Sequence, residues 1–456
     1  MKVETVKGTM FSRQDLMALM IPLVIEQFLA RLVGMADTMM VSYAGEAAVS
    51  GVSLVDMINQ LVITLLAALA TGGAVVTSQY LGARLEDQAH KSVNQLVLLA
   101  GVFGIGLMAI CLLLAKPMLR LFFGSIEEDV MAAALLYFRI LACSYPFMAL
   151  YNAGAAIFRS VGNSKISMQV SAVMNIINIG GNAFCIFVLG MGIEGVAIPS
   201  LISYAIAAVV MLWLAAEREG TVRVELAQIF RFDKGMSRSI LNIGIPSAAE
   251  NSIFQLGRVL VVSIISVFGT VQISANAIAN NLDGMGCIIG QAFGLGIITV
   301  IGQCIGAGEY GQAKYYTNKL IGLDVLLQGA SIVLILIFLN PLIGLYSVSQ
   351  KTADLAFILV WIHEAFSILM WPPAFVLPNA LRAANDVKFT MWVSIGSMFI
   401  WRLGFSYVLG IGFQMGAIGV WIAMVVDWAC RLGFFGWRYL SGRWLDYAKV
   451  PEKTAK

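Results

Sequence analysis

Charge is what this chain has least of: 12% of its residues are Asp, Glu, Lys or Arg, against about 25% in a typical soluble domain. That scarcity, with 59% hydrophobic residues, excludes an ordinary water-soluble fold. No long basic run with interleaved aromatics lies outside the apolar stretches, which excludes nucleic-acid binding as an expectation. Histidine is almost missing, with only His90 and His363, too few to build a metal site alone. The six cysteines (Cys111, Cys143, Cys185, Cys287, Cys304 and Cys430) lie in or beside apolar runs without a Cys-x-x-Cys spacing. They read as small core hydrophobes rather than disulfides or metal ligands. Neither Gly-x-Ser-x-Gly nor His-Glu-x-x-His occurs, so an intramembrane hydrolase lacks its catalytic set. The polar start, Met1 to Lys7, carries no cleavable signal pattern, and the first apolar run is expected to serve as an uncleaved signal.

What is present is a series of apolar runs of about 20 residues, each long enough to cross a bilayer as a helix. Twelve are expected, at 15–41, 52–80, 93–115, 131–157, 166–188, 193–215, 239–268, 276–303, 319–339, 354–380, 390–411 and 416–438. Twenty-one lysines and arginines fall in the termini and even-numbered loops, whereas the odd-numbered loops hold Lys116, Arg120 and Lys351. The positive-inside rule then places both termini in the cytoplasm.

The chain repeats itself. Pro22 and Glu26 recur as Pro246 and Glu250, both 224 positions on, and Gln79-Tyr80-Leu81-Gly82-Ala83 returns as Gln303-Cys304-Ile305-Gly306-Ala307 at the same offset. Gly45 pairs with Gly269 and Asn94 with Asn318 in the same way. Each copy holds six spans, so the copies share one orientation and are expected to be related by a pseudo-two-fold axis along the membrane normal. The expected domains are 1–217, a cytoplasmic linker 218–238, and 239–456, with a short amphipathic helix over 225–238. The fold class is all-α and polytopic, in two six-helix bundles flanking a cleft.

Polar residues inside such spans mark function, because hydrocarbon tolerates them only against protein or water. Helical spacing puts Glu26 and Asp37 on one face of the first span, where Pro22 invites a bend, as does Pro246 in the seventh. Asn175, Asn178 and Asn182 form a stripe in the fifth span, and Asn276, Asn280 and Asp283 repeat it in the eighth. Such stripes serve either interhelical hydrogen bonding or a cavity. In the second span Asp56 corresponds to Asn280, and Asn59 to Asp283. Arg31 and Arg258 are expected to pair with carboxylates of their own halves, and Asp427 with Arg431. Gly190-Met191-Gly192-Ile193-Glu194-Gly195 matches a dinucleotide pattern but joins two spans, so it reads as a tight turn.

Pro22, Asp37-Thr38-Met39-Met40-Val41, Tyr43-Ala44-Gly45, Gln79-Tyr80-Leu81-Gly82-Ala83, Phe158-Arg159-Ser160-Val161-Gly162-Asn163-Ser164-Lys165 and Gly195-Val196-Ala197-Ile198-Pro199-Ser200 together resemble the multidrug and toxic compound extrusion (MATE) family, in its DinF-like branch. The resemblance spans residues 10 to 440. It implies a secondary active antiporter that exports small organic, often cationic compounds in exchange for H+ or Na+ by alternating access. It implies a multi-pass protein of the inner (plasma) membrane, monomeric, not an enzyme, and without a cofactor beyond the coupling ion. It assigns cation coupling to Asp37, Asn178, Asn182 and Ser200; Glu26, Asp56, Asn175, Glu250, Asn276, Asn280 and Asp283 are candidates for the cleft or a second polar belt. Asn182 stands where the family's second carboxylate is expected, leaving Asp37 as the lone acid. A lone carboxylate in a low-dielectric cavity suits proton exchange, whereas its oxygen neighbours suit Na+. A lipid or lipid-linked sugar flippase of the same superfamily is the alternative.

Overall fold

The computed structural model describes residues 9–449 except 42, 44, 125–126, 218–221 and 347. The charges of Lys2, Lys7, Arg218, Lys453 and Lys456, and the first four residues of the expected linker, lie outside the described residues.

Every described element is helical. Six membrane-length helices fill the N-terminal half: Arg13–Val41, Glu46–Gly82, Glu86–Phe123, a bent pair Glu128–Ala142 with Tyr145–Ser160, Ser164–Val188 and Glu194–Glu217. Six more follow: Lys234–Ser266, Thr270–Gly286 continued by Ile288–Gly306, Tyr310–Ile337, Gln350–Ala383, Val387–Gly412 and Gly416–Leu440. They are called the first to twelfth helices below. The second and third run 37 and 38 residues, about 55 Å at 1.5 Å per residue, well past a hydrocarbon core of about 30 Å. Across the helices, outward faces carry large apolar side chains, among them Leu113 and Leu121 of the third, Val209 of the sixth, and Leu326 and Ile337 of the ninth, all exposed. On a water-soluble protein such a surface would aggregate; here it is the face turned to lipid.

The repeat governs the helix ends. Glu46–Gly82 and Thr270 to Gly306 begin and end 224 positions apart, and each starts after a glycine at positive φ, Gly45 at 101° and Gly269 at 93°. That region is open to glycine and strained for other residues.

Several details differ from expectation. The fourth helix bends by 46° between Ala142 and Tyr145, because Pro146 cannot supply an amide to the turn before it. The eighth helix is interrupted at Cys287. Conversely, the first and seventh helices pass through Pro22 and Pro246 without interruption. The adjacent prolines of Trp371-Pro372-Pro373 do not end the tenth helix but widen it into a π-turn, Pro372–Val376. Of the amphipathic helix expected over 225–238, one turn forms, Leu226–Ile229, and the seventh helix already begins at Lys234.

The compact units are Arg13–Ala248 and Ala249 onward joined by residues 9–12. The start of the seventh helix thus packs with the N-terminal bundle, and Gln95 explains why. Its amide donates to Arg231 O at 2.6 Å, while its oxygen accepts from Asp233 N at 3.1 Å and Ser237 Oγ at 3.0 Å. Nearby, Gly72 lets the second and seventh helices touch, since a Cβ there would lie 2.5 Å from Ile240 O. In the other unit, Met10 N donates to Gln312 Oε1 and Phe11 stacks edge-on against Tyr316, tying residues 9–12 to the ninth helix.

Candidate functional site

The four residues assigned to cation coupling meet in the N-terminal bundle. Asn182 Nδ2 donates to Asp37 Oδ1 at 2.8 Å and reaches Asn178 Oδ1 at 3.3 Å; Asn178 Nδ2 donates to Ser200 Oγ at 2.9 Å. Ser200 Oγ in turn donates to Val196 O at 2.9 Å. The chain of bonds links the first, fifth and sixth helices and ends on the carboxylate, the one charged acceptor in it. Local sequence makes this approach possible. At Gly181 a Cβ would sit 2.7 Å from the Cβ of Pro199, so glycine next to Asn182 lets the fifth helix close on the sixth beside Ser200. A π-turn, Phe184–Val188, begins two residues after Asn182; such turns interrupt regular helix bonding and are frequent at functional sites.

Asn178, Asn182 and Ser200 are buried, and Asp37 is half-buried. The Oδ1 of Asn182 has no hydrogen-bond partner among the described residues although it is shielded from solvent. An unsatisfied buried acceptor costs about 1–3 kcal/mol, which a bound proton donor or cation would relieve. Asp56, Tyr137 and Tyr204 lie within electrostatic reach of Asp37. The two tyrosines went unnoticed in the sequence, since a tyrosine inside an apolar span carries no periodic signal. Asn175, one turn before Asn178, keeps a buried Nδ2 without a partner among the described residues.

Glu26 stands apart from this cluster. It lies eleven residues before Asp37, about 16 Å along the helix, and Arg159 Nη1 is 3.6 Å from its Oε1 while Ser167 Oγ donates to its Oε2 at 2.8 Å. Glu250 repeats the arrangement, with Arg382 Nη2 at 2.6 Å and a bond from Ser394 Oγ. Both glutamates are therefore buried and each is anchored to a neighbouring helix. Arg31 and Arg258, expected to pair, are exposed and make no ion pair among the described residues. Asp427 does hold Arg431, at 3.1 Å, and Arg402 at 3.6 Å.

The C-terminal belt is built differently. Asn276 Oδ1 accepts from Trp421 Nε1 at 3.0 Å, and Asn280 Nδ2 donates to Asn276 O within its own helix at 2.8 Å. Each of these asparagine side chains is thereby engaged within the C-terminal bundle. Asp283 instead meets His363 from the tenth helix, Nε2 to Oδ1 being 2.7 Å.

Two six-helix sets of membrane length, one holding a half-buried carboxylate on a polar chain across three helices, are the build of a membrane-spanning protein with a polar site inside it. The family description MatE matches residues 22–184 and 246–408, the greater part of the chain and once in each repeat, and the chain belongs to this multidrug and toxic compound extrusion family. It is 28% identical over 439 residues to the uncharacterized transporter YisQ of Bacillus subtilis (strain 168), covering 95% of each chain. It is 24% identical over 458 residues to the probable multidrug resistance protein NorM of Thermotoga maritima, covering 97% of this chain and 96% of the other. A solved outward-facing multidrug resistance MATE transporter of the MOP superfamily superposes with a TM-score of 0.89 at 19% identity, over 96% of this chain and all of that one.

Proposed function

We propose that this transporter is a cation-driven antiporter of the DinF-like branch, exporting small organic, often cationic compounds across the plasma membrane. It works as a monomer with both termini cytoplasmic, and Asp37 is the residue that loads the coupling ion. The observation that carries this reading is the hydrogen-bonded chain Asp37–Asn182–Asn178–Ser200. It presents one carboxylate and otherwise only amide and hydroxyl groups, a donor set for H+ or a hard cation and unsuited to soft metals.

Loading neutralises Asp37 and weakens the charge-assisted bond by which it holds Asn182. The first helix is then freed from the fifth, and that change of packing is the step coupled to alternating access. With Asn182 in place of a second carboxylate the site carries a single charge, which favours H+ over Na+. The test is dye efflux from proteoliposomes under separately imposed pH and Na+ gradients. Transport by the wild type under a pH gradient, and none by Asp37→Asn despite normal insertion, is the expected result. A fully active Asp37→Asn protein defeats the reading.

A further inference from the structure

The geometry points to a transition-metal site in the C-terminal bundle: Asp283 and Cys287 of the eighth helix with His363 of the tenth bind a Zn2+-class ion. Asp283 Oδ1 is the hub, with Cys287 Sγ donating to it at 3.3 Å and His363 Nε2 2.7 Å away. The three ligand atoms all lie within 4.8 Å of one another. In a tetrahedral zinc site, ligand atoms at about 2.0–2.3 Å from the metal stand roughly 3.3–3.5 Å apart. Asp283 and Cys287 are already at that separation, and Asp283 and His363 need to part by under about 1 Å. Carboxylate, thiolate and imidazole together select a borderline-soft divalent ion over Na+ or Mg2+.

The surroundings are those of a prepared site. His363 is buried edge-on between Trp428, with ring centres 4.5 Å apart, and Trp421, at 5.6 Å. Its ring is thereby held with Nε2 toward Asp283. Its other nitrogen lies 3.8 Å from Glu364 Oε2, beyond a hydrogen bond but on the side from which a small shift would let a carboxylate orient a metal-bound imidazole. Glu364 is fully buried, and neither of its oxygens has a hydrogen-bond partner among the described residues. It is pressed onto the turn that carries the ligands: a Cβ at Gly286 would lie 2.6 Å from Glu364 Oε1. Glycine between Asp283 and Cys287 therefore leaves room for a second carboxylate behind His363. The Asp283 side chain is 21% exposed, which gives an ion a way in. Cys287 thus has a role beyond the small core hydrophobe expected of it. An ion here would staple the eighth helix to the tenth, and it is independent of the coupling site at Asp37.

The experiment uses tag-free protein in detergent. One Co2+ per chain, with a thiolate-to-cobalt charge-transfer band displaced by Zn2+, is expected. Cys287→Ser, nearly isosteric and still able to donate to Asp283, should abolish that band and weaken Zn2+ at least tenfold; Glu364→Gln should weaken it about 10–100-fold. Cys304→Ser, a buried cysteine elsewhere in the same helix, should leave both unchanged. Absence of stoichiometric binding by the wild type, or an undiminished band in Cys287→Ser, overturns the site. Should a variant fail to fold, protection of Cys287 in the wild type from alkylation by added Zn2+, read by peptide mass, decides the matter: protection supports the site and its absence overturns it.

Discussion

Arg382 Nη2 lies 2.6 Å from Glu250 Oε2, and the same pair occurs in the other bundle, where Arg159 stands 3.6 Å from Glu26. Each pair ties the first helix of a repeat to the end of its fourth. Both glutamates follow a proline by four residues, so duplication copied the anchor with the helix. Removing one member leaves the other charge stranded in a buried place, which costs about 3–5 kcal/mol. Glu250→Ala and Glu26→Ala should both lower the thermal unfolding midpoint in detergent, Glu250→Ala by more because its pair is shorter. Replacing glutamate and arginine together should recover part of the loss. Unchanged midpoints would show that these charges are solvated and free for another task.

The contact between the second and seventh helices depends on Gly72. A methyl group there meets backbone, Ile240 O at 2.5 Å and Gly244 N at 2.9 Å, neither of which can rotate away. Gly72→Ala should cost about 1–3 kcal/mol through overpacking. Gly106 of the third helix is the control, because nothing lies within 4 Å of a Cβ placed there. Gly106→Ala should be neutral, or stabilising by up to about 1 kcal/mol through helix propensity. Thermal midpoints of the two variants separate a steric cause from a general intolerance of substitution.

Gln95 fastens the connection between the repeats by three hydrogen bonds, to Arg231, Asp233 and Ser237. Asn94 beside it accepts from Glu225 N at 3.0 Å. At roughly 1 kcal/mol per bond, Gln95→Ala should release the segment ahead of the seventh helix locally while the bundles stay folded. Limited proteolysis should then cut near residues 222–233 several-fold faster than in the wild type. Equal rates would mean that the segment is held by its apolar contacts alone.

How far these features could be read from the sequence differs from one to the next. The repeat was legible because an offset of 224 positions is a property of the string, and helix ends follow the same glycines in both copies. Asp37, Asn178, Asn182 and Ser200 were legible only through the family resemblance; polar spacing alone placed Asn178 with Asn182 but could not bring either to Ser200, which lies on another helix. Glu26 was read onto the same face as Asp37, because helical periodicity reports a shared face and not the distance along it. The pairing of His363 with Asp283 was illegible. It depends on which helices of the C-terminal bundle touch, and the first half, with Asn59 in place of Asp283, offers no template.

Asn182 is the residue whose exchange tests the coupling proposal most directly. Its amide donates to Asp37 at 2.8 Å, so Asn182→Asp changes an attractive contact into two carboxylates at hydrogen-bonding distance. Two negative charges so close cannot both stay bare in a low-dielectric setting; one must take a proton, or a cation must bridge them. If the wild-type site works with the single charge of Asp37, the variant should show a new Na+ dependence. Dye efflux driven by an imposed Na+ gradient should rise from near background to severalfold above it, while the pH-driven component changes less. Asn182→Ala, which removes both the donor and the buried Oδ1, should instead weaken transport under either gradient by about tenfold or more. Identical ion dependence in the wild type and Asn182→Asp would mean that the coupling ion binds elsewhere, and would move attention to Asp56 on the neighbouring helix.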